Sequence, residues 1–178
     1  MFNTKVTSDM FNYMIFILLA YVMAGSCVSA KEFHLPINIP FKVQNKNSSI
    51  EFEMVIDDPG YYSFLLDYYD SKSISRLDLV NLLRSQAGSS SVNQNTNKCL
   101  SIPVYLSVVD IKDNRSIINN RYEDHDMYSY SDKYISQEIV KAHLSAGRYS
   151  VTAKSVCDIV VLSRMHIDLS VRKTYMGK

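Results

Sequence analysis

Apolar and polar residues alternate with period two in segment after segment of this chain, the pattern of strands with one buried face. Phe33-His34-Leu35-Pro36-Ile37-Asn38-Ile39 reads as a first strand, which its proline confines to an edge or a strand start. After a polar turn at 45–49, Ile50, Phe52, Met54 and Ile56 fall on one face of the next strand, with Glu51 and Glu53 on the other. Asp57-Asp58-Pro59-Gly60 is a strong turn signal, and the dense aromatic run Tyr61 to Tyr69 behind it is expected to complete a hairpin. Between Ile102 and Ile111, Val104, Leu106 and Val108 share one face and Tyr105, Ser107 and Val109 the other. Asp113-Asn114-Arg115-Ser116 turns that strand into Ile117 to Tyr122, a second expected hairpin. Tyr134 to Val140 alternates weakly. The turn Leu144-Ser145-Ala146-Gly147-Arg148 feeds a strand with Tyr149, Val151 and Ala153 on one side, and His166 to Val171 closes the series.

One segment breaks the pattern. From Ser75, a capping residue, Leu77, Val80, Leu83 and Leu79 recur at helical spacing, and Asp78 sits in the first turn. Gln86 to Lys98 is rich in Ser, Asn, Gln and Gly and reads as a long surface loop. About seven short strands with one helix, and no βαβ alternation, predict a mainly antiparallel β-sandwich; an open barrel is the nearest competitor.

The first thirty residues belong to a different regime. An apolar run from Met14 to Gly25 follows a polar leader containing Lys5. At about a dozen residues it is long enough for a signal-peptide core and short of the ~20 that span a bilayer. Ala24-Gly25-Ser26-Cys27 has the form of a bacterial lipoprotein box, which would remove residues 1–26 and lipidate Cys27; Val28-Ser29-Ala30 offers an alternative cleavage after residue 30. The remaining 27–178 is the length of a single domain with one core. Val28 stands where an aspartate would favour inner-membrane retention, so the expected location is the periplasm, anchored at the outer membrane.

Charge and cysteine usage narrow the function classes. The formal net charge is +1 and no basic stripe is present, which disfavours nucleic acid. With Cys27 lipidated or discarded, Cys99 and Cys157 remain as an even pair that an oxidising compartment would let bond; two separate thiols are the alternative. His34, His125, His143 and His166 sit in no catalytic motif and no Gly-x-Ser-x-Gly elbow exists, so no catalytic residue or cofactor is assigned. Glu123-Asp124-His125-Asp126 carries metal-suited atoms, but its spacing fits neither an EF-hand nor a zinc site and it reads as a solvated turn.

Tyrosine is the compositional outlier, with 13 residues against no tryptophan. Exposed tyrosines join a large apolar ring to a polar tip and suit protein interfaces. The cluster Tyr122, Glu123, Asp124, Asp126, Tyr128 and Tyr130 is the candidate partner surface, because its carboxylates make it too polar for a core.

Four segments carry a resemblance: Ile50 to Ile56; Tyr61 to Asp70 with Arg76 and the Leu-rich helix behind it; Ile102-Pro103-Val104-Tyr105-Leu106; and Leu144 to Val151. Together they resemble a poorly characterised family of small bacterial periplasmic β-sandwich lipoproteins. Some of these resemble immunity proteins of type VI secretion lipase effectors. The resemblance implies a binding protein that occludes the active site of a secreted toxic effector, and no enzyme. The alternative from another class is an envelope accessory lipoprotein that binds glycan or stabilises an outer-membrane assembly. An aromatic platform on a sheet face would favour the alternative; aromatics confined to protruding segments would favour the inhibitor.

Overall fold

Ten strands and one helix make up the described residues of the computed structural model, namely 32–69, 74–86, 102–123, 125–159, 162 and 164–174. The strands are β1 Glu32–His34, β2 Ile37–Pro40, β3 Ser49–Ile56, β4 Gly60–Tyr69, β5 Val104–Asp110, β6 Arg115–Tyr122, β7 Asp126–Tyr130, β8 Tyr134–Leu144, β9 Gly147–Ser155 and β10 Ile167–Lys173; helix α1 is Arg76–Gln86. Five strands form sheet A in the order β1-β3-β9-β5-β6, and five form sheet B in the order β2-β10-β4-β8-β7. All pairings are antiparallel except β1 with β3. The fold is the expected β-sandwich, with ten strands where about seven were read from the sequence.

The alternating faces meet in one core. Phe52, Met54 and Ile56 of β3, Val104, Leu106 and Val108 of β5, and Tyr149, Val151 and Ala153 of β9 are all buried there, as their spacing predicts. Sheet B contributes Tyr62, Phe64, Leu66 and Tyr68 of β4 and Ile167, Leu169 and Val171 of β10. Tyr68 is fully buried and donates its hydroxyl to Gln137 Oε1 at 3.0 Å, which removes the cost of an unpaired polar atom.

Two sequence expectations are corrected by the way the chain changes sheets. Phe33 to Ile39 is not one strand: β1 lies in sheet A and β2 in sheet B, and the chain crosses at Leu35-Pro36, where proline supplies no donor to a ladder. Ile50–Ile56 and Tyr61–Tyr69 do not form a hairpin either. β3 and β4 belong to opposite sheets, so the Asp57–Gly60 turn is a crossing. The β5–β6 hairpin does form, with Asn114 supplying the left-handed residue of its turn at φ 49.

Crossings are pinned by tyrosines. The Tyr62 hydroxyl donates to the Asp58 carbonyl at 2.5 Å, and the Tyr149 hydroxyl donates to the Ser145 carbonyl at 2.9 Å, each four residues upstream. Both resemble the tyrosine corner of immunoglobulin-like sandwiches. Tyr149→Phe removes one such bond while keeping the ring, so it is expected to cost about 1 kcal/mol in urea unfolding with an unchanged slope.

Helix α1 is capped as expected, with the Ser75 hydroxyl accepting from Asp78 N–H at 3.1 Å. Among its described side chains Leu79 and Leu83, one turn apart, are buried, while Leu77, assigned to the apolar stripe from sequence, is 68% exposed. The Gln86 to Lys98 loop lies outside the described residues except for Gln86, which ends the helix.

The four outer strands are blunted against further pairing. β1 and β2 are three and four residues long, and β2 is bracketed by Pro36 and Pro40. β6 is bulged at Ile117 and β7 at Tyr128, where the ladder register shifts. Short, proline-flanked or bulged edges are the usual protection against edge-to-edge association.

Candidate functional site

The outer faces of the two sheets differ in kind. Sheet A presents an ordinary solvated surface, where Arg148 bridges Glu53 at 2.8 Å and Glu32 at 3.4 Å; exposed pairs of this sort add little stability. Sheet B instead buries polar groups on its outer face. Ser63, Leu65 and Asp67 of β4, Ser136 of β8 and Ser170 of β10 have no accessible surface.

Asp67 is the centre of this face. It accepts from Ser136 at 2.5 Å, from Ser170 and from the Arg172 guanidinium. Ser170 also lies 2.7 Å from Asn38 Oδ1, so β4, β8 and β10 meet at one carboxylate and β2 joins them through Ser170. A second knot lies nearby, where Ser63 donates to Glu138 at 2.7 Å and contacts the Thr174 hydroxyl at 2.6 Å. Asp168 stands directly opposite Asp67 in the β10–β4 ladder and shares its face. Its Oδ1 is 2.9 Å from Nε2 of His166, whose side chain is 57% exposed.

Aromatic rings border the carboxylates. Tyr69 packs between Tyr134 and His166, with centroids 5.6 and 5.0 Å away, and the Arg172 guanidinium lies 5.1 Å from the Tyr134 ring. Burial pushes the Tyr69 phenol up to about 12, helped by its hydrogen bond to Asp168 and by the charges of Asp168 and Asp67. Burial also raises Tyr62, Tyr68, Tyr122 and Tyr149, with Asp58 adding to it at Tyr62, Asp67 at Tyr68 and Asp110 at Tyr149. A phenol whose folded pKa exceeds its unfolded value stabilises the fold below about pH 10, and that contribution is lost as pH rises through the folded pKa. Stability is therefore expected to fall between pH 10 and 12, with phenolate absorbance rising at lower pH in urea than in buffer.

The partner surface read from the sequence is reached differently. The chain leaves the edge of sheet A at the end of β6 and enters the edge of sheet B at β7, so 123–125 is a crossing between sheets. His125, expected in a solvated turn, is instead buried, with Nε2 2.6 Å from the Ile102 carbonyl, which anchors the crossing to the start of β5. Tyr122 is half-buried and leans on the core, a correction to its reading as exposed. Glu123 is partly exposed and paired with Arg121 at 2.8 Å. Asp126 is exposed and stands opposite Glu138, and Tyr128 is 38% exposed at the bulge. Asp124 and the Tyr130 side chain lie outside the described residues. Two of the six residues, Asp126 and Tyr128, thus lie exposed on the edge strand β7, while Glu123 stands on the crossing that leads to it.

The Asp67 network was missed. Its signal is the strict alternation Ile167-Asp168-Leu169-Ser170-Val171-Arg172, which puts three polar groups on one face, together with Asp67 inside an otherwise apolar strand. Among the described residues, Ser170 bonds Asp67 and Asn38 and has no imidazole partner, and no group of His, Cys, Asp and Glu is arranged to hold a metal ion. Cys157 is buried; Cys99 and Cys27 lie outside the described residues.

Two stacked sheets seamed by edge crossings, with a polar outer face on one of them, define a β-sandwich domain. The chain belongs to the family of a domain of unknown function, DUF5625, whose model matches residues 38–173, from β2 to the end of β10. It is also similar to the crystal structure of GEBA250068378 from Sulfurospirillum deleyianum. The two share 15% identity with a TM-score of 0.57, over 78% of this chain and 97% of that one, a likeness of fold alone. No curated protein matches the sequence.

Proposed function

We propose that this domain is a non-enzymatic binding protein of the bacterial envelope, which neutralises an antibacterial effector by covering its active site. In this reading the effector is a phospholipase delivered by type VI secretion. The domain is lipidated at Cys27, sits in the periplasm at the outer membrane, and carries a Cys99–Cys157 bond. Tyr128 is the observation that carries the reading. A bulge on the edge strand β7 holds this ring out to solvent, 38% exposed, with the exposed Asp126 on the same strand. Protruding aromatics on a rigid element make interface anchors at low entropic cost.

The test is co-purification with the product of the neighbouring gene, followed by titration calorimetry. Tyr128→Ala is expected to weaken the complex by about 2 kcal/mol, roughly 30-fold in Kd. Failure to bind any neighbouring effector, or an unchanged Kd in the variant, overturns the proposal.

A further inference from the structure

We infer that the β7 edge docks an arginine-bearing segment of a protein partner, with the guanidinium held by Asp126, Glu138 and the Tyr128 ring. That edge is the partner surface proposed above, on which the assignment rests; what is added is the chemistry it meets. Asp126 and Glu138 stand directly opposite one another in the β7–β8 ladder. Like charges in that position repel, and among the described residues neither carboxylate has a cation within ion-pair distance. Glu138 accepts from the Ser63 hydroxyl, which leaves its charge uncompensated. The exposed Asp126 side chain makes no hydrogen bond or ion pair among the described residues.

Charge and spacing select the occupant. Tyr128 is the bulge residue without a ladder partner, two positions along from Asp126, and its 38% exposed ring meets no other ring and no hydrogen-bond partner among the described residues. Opposite Cβ atoms in such a ladder stand about 5 Å apart, and residues two apart on a strand about 7 Å, so one guanidinium can reach all three groups. Arginine forks carboxylates with two parallel N–H donors and stacks on aromatic faces, whereas lysine brings only a point charge. A purely apolar segment would satisfy the ring and leave two facing carboxylates desolvated without a counter-charge, which is costly. Glu123 takes no part, because Arg121 already pairs with it at 2.8 Å. Tyr61, by contrast, packs edge-on against His143, with centroids 5.2 Å apart.

Fluorescently labelled nona-arginine and nona-lysine peptides are titrated with the full-length protein at low salt, and binding is read by anisotropy. Nona-arginine is expected to bind about tenfold more tightly than nona-lysine. Asp126→Asn and Tyr128→Ala should each weaken it about tenfold, while Asp113→Asn, on the exposed β5–β6 turn, leaves it unchanged. In the free protein, Asp126→Asn removes the repulsion across the ladder and is expected to raise the melting temperature by about 1–3 °C. No binding of nona-arginine, equal binding of nona-lysine, or binding that survives either variant overturns the inference. So does a melting temperature that fails to rise, since the pair would then already be compensated. An effector complex that forms although nona-arginine does not bind leaves the proposed function standing without this chemistry. Binding of nona-arginine with no neighbouring effector captured does the reverse.

Discussion

Arg172→Ala is expected to lower the unfolding free energy by about 3–5 kcal/mol, the cost of leaving a buried charge without its partner. Asp67 has no accessible surface, and Arg172 is the cation that meets it. Ser136 and Ser170 each donate to the same carboxylate, but a hydroxyl dipole does not replace a full charge. For a chain of this size the loss corresponds to roughly 10 °C in melting temperature. Asp67→Asn combined with Arg172→Ala should cost less than the two single changes added together, because the neutral amide needs no counter-charge. A double-mutant cycle measured by urea unfolding gives that coupling, expected at about 1–3 kcal/mol. Additive losses would mean that Arg172 acts through packing over Tyr134 and not through charge.

Phe64→Ala should be comparably severe, at about 3–5 kcal/mol. Phe64 is fully buried on the core side of β4, which β8 and β10 flank on both sides. The ladder between β4 and β8 shifts beside it, so that Ile139 and Val140 follow one another without a change of partner face. A cavity at this point is walled by a bulged strand, and relaxation there would disturb the register that positions Glu138 and Ser136. With total stabilities of only about 5–15 kcal/mol for domains of this kind, either variant removes a large share. A loss below about 1 kcal/mol in chemical denaturation would show that β8 collapses into the gap.

The sequence carried the strand faces well, because burial on one side of a sheet writes itself as period two. The buried sets on β3, β5 and β9 were readable residue by residue. What period two does not encode is which sheet a strand joins. The Asp57-Asp58-Pro59-Gly60 turn looks like a hairpin locally, and only the Tyr62 hydroxyl on Asp58 marks it as a corner. The weak alternation from Tyr134 to Val140 has its cause in the bulge at Ile139, which puts two consecutive residues toward the core. Leu77 was misassigned because three-and-four spacing allows two overlapping stripes on a short helix, and tertiary packing chose Leu79 with Leu83.

The candidate sites were legible in proportion to their exposure. Tyr128 and Asp126 could be picked from local polarity, since they face water. Asp67 stands out only as a lone carboxylate in an apolar strand, and its role is not local, because its partners come from β8 and β10, 69 and 103 residues away in the chain. His125 misled for the opposite reason: polar neighbours on both sides hid a residue that the crossing between sheets turns inward.

The first strand begins at Glu32, five residues after Cys27. Five extended residues reach no more than about 18 Å. Were Cys27 lipidated, as proposed above, the domain would be on a short leash: it would patrol a thin layer against the bilayer and could not sweep the width of the periplasm. Its partner would have to come to the membrane to be met, as an enzyme attacking lipid must. Lengthening the leash with an inserted flexible linker would widen the patrolled volume and dilute the domain at the surface it guards.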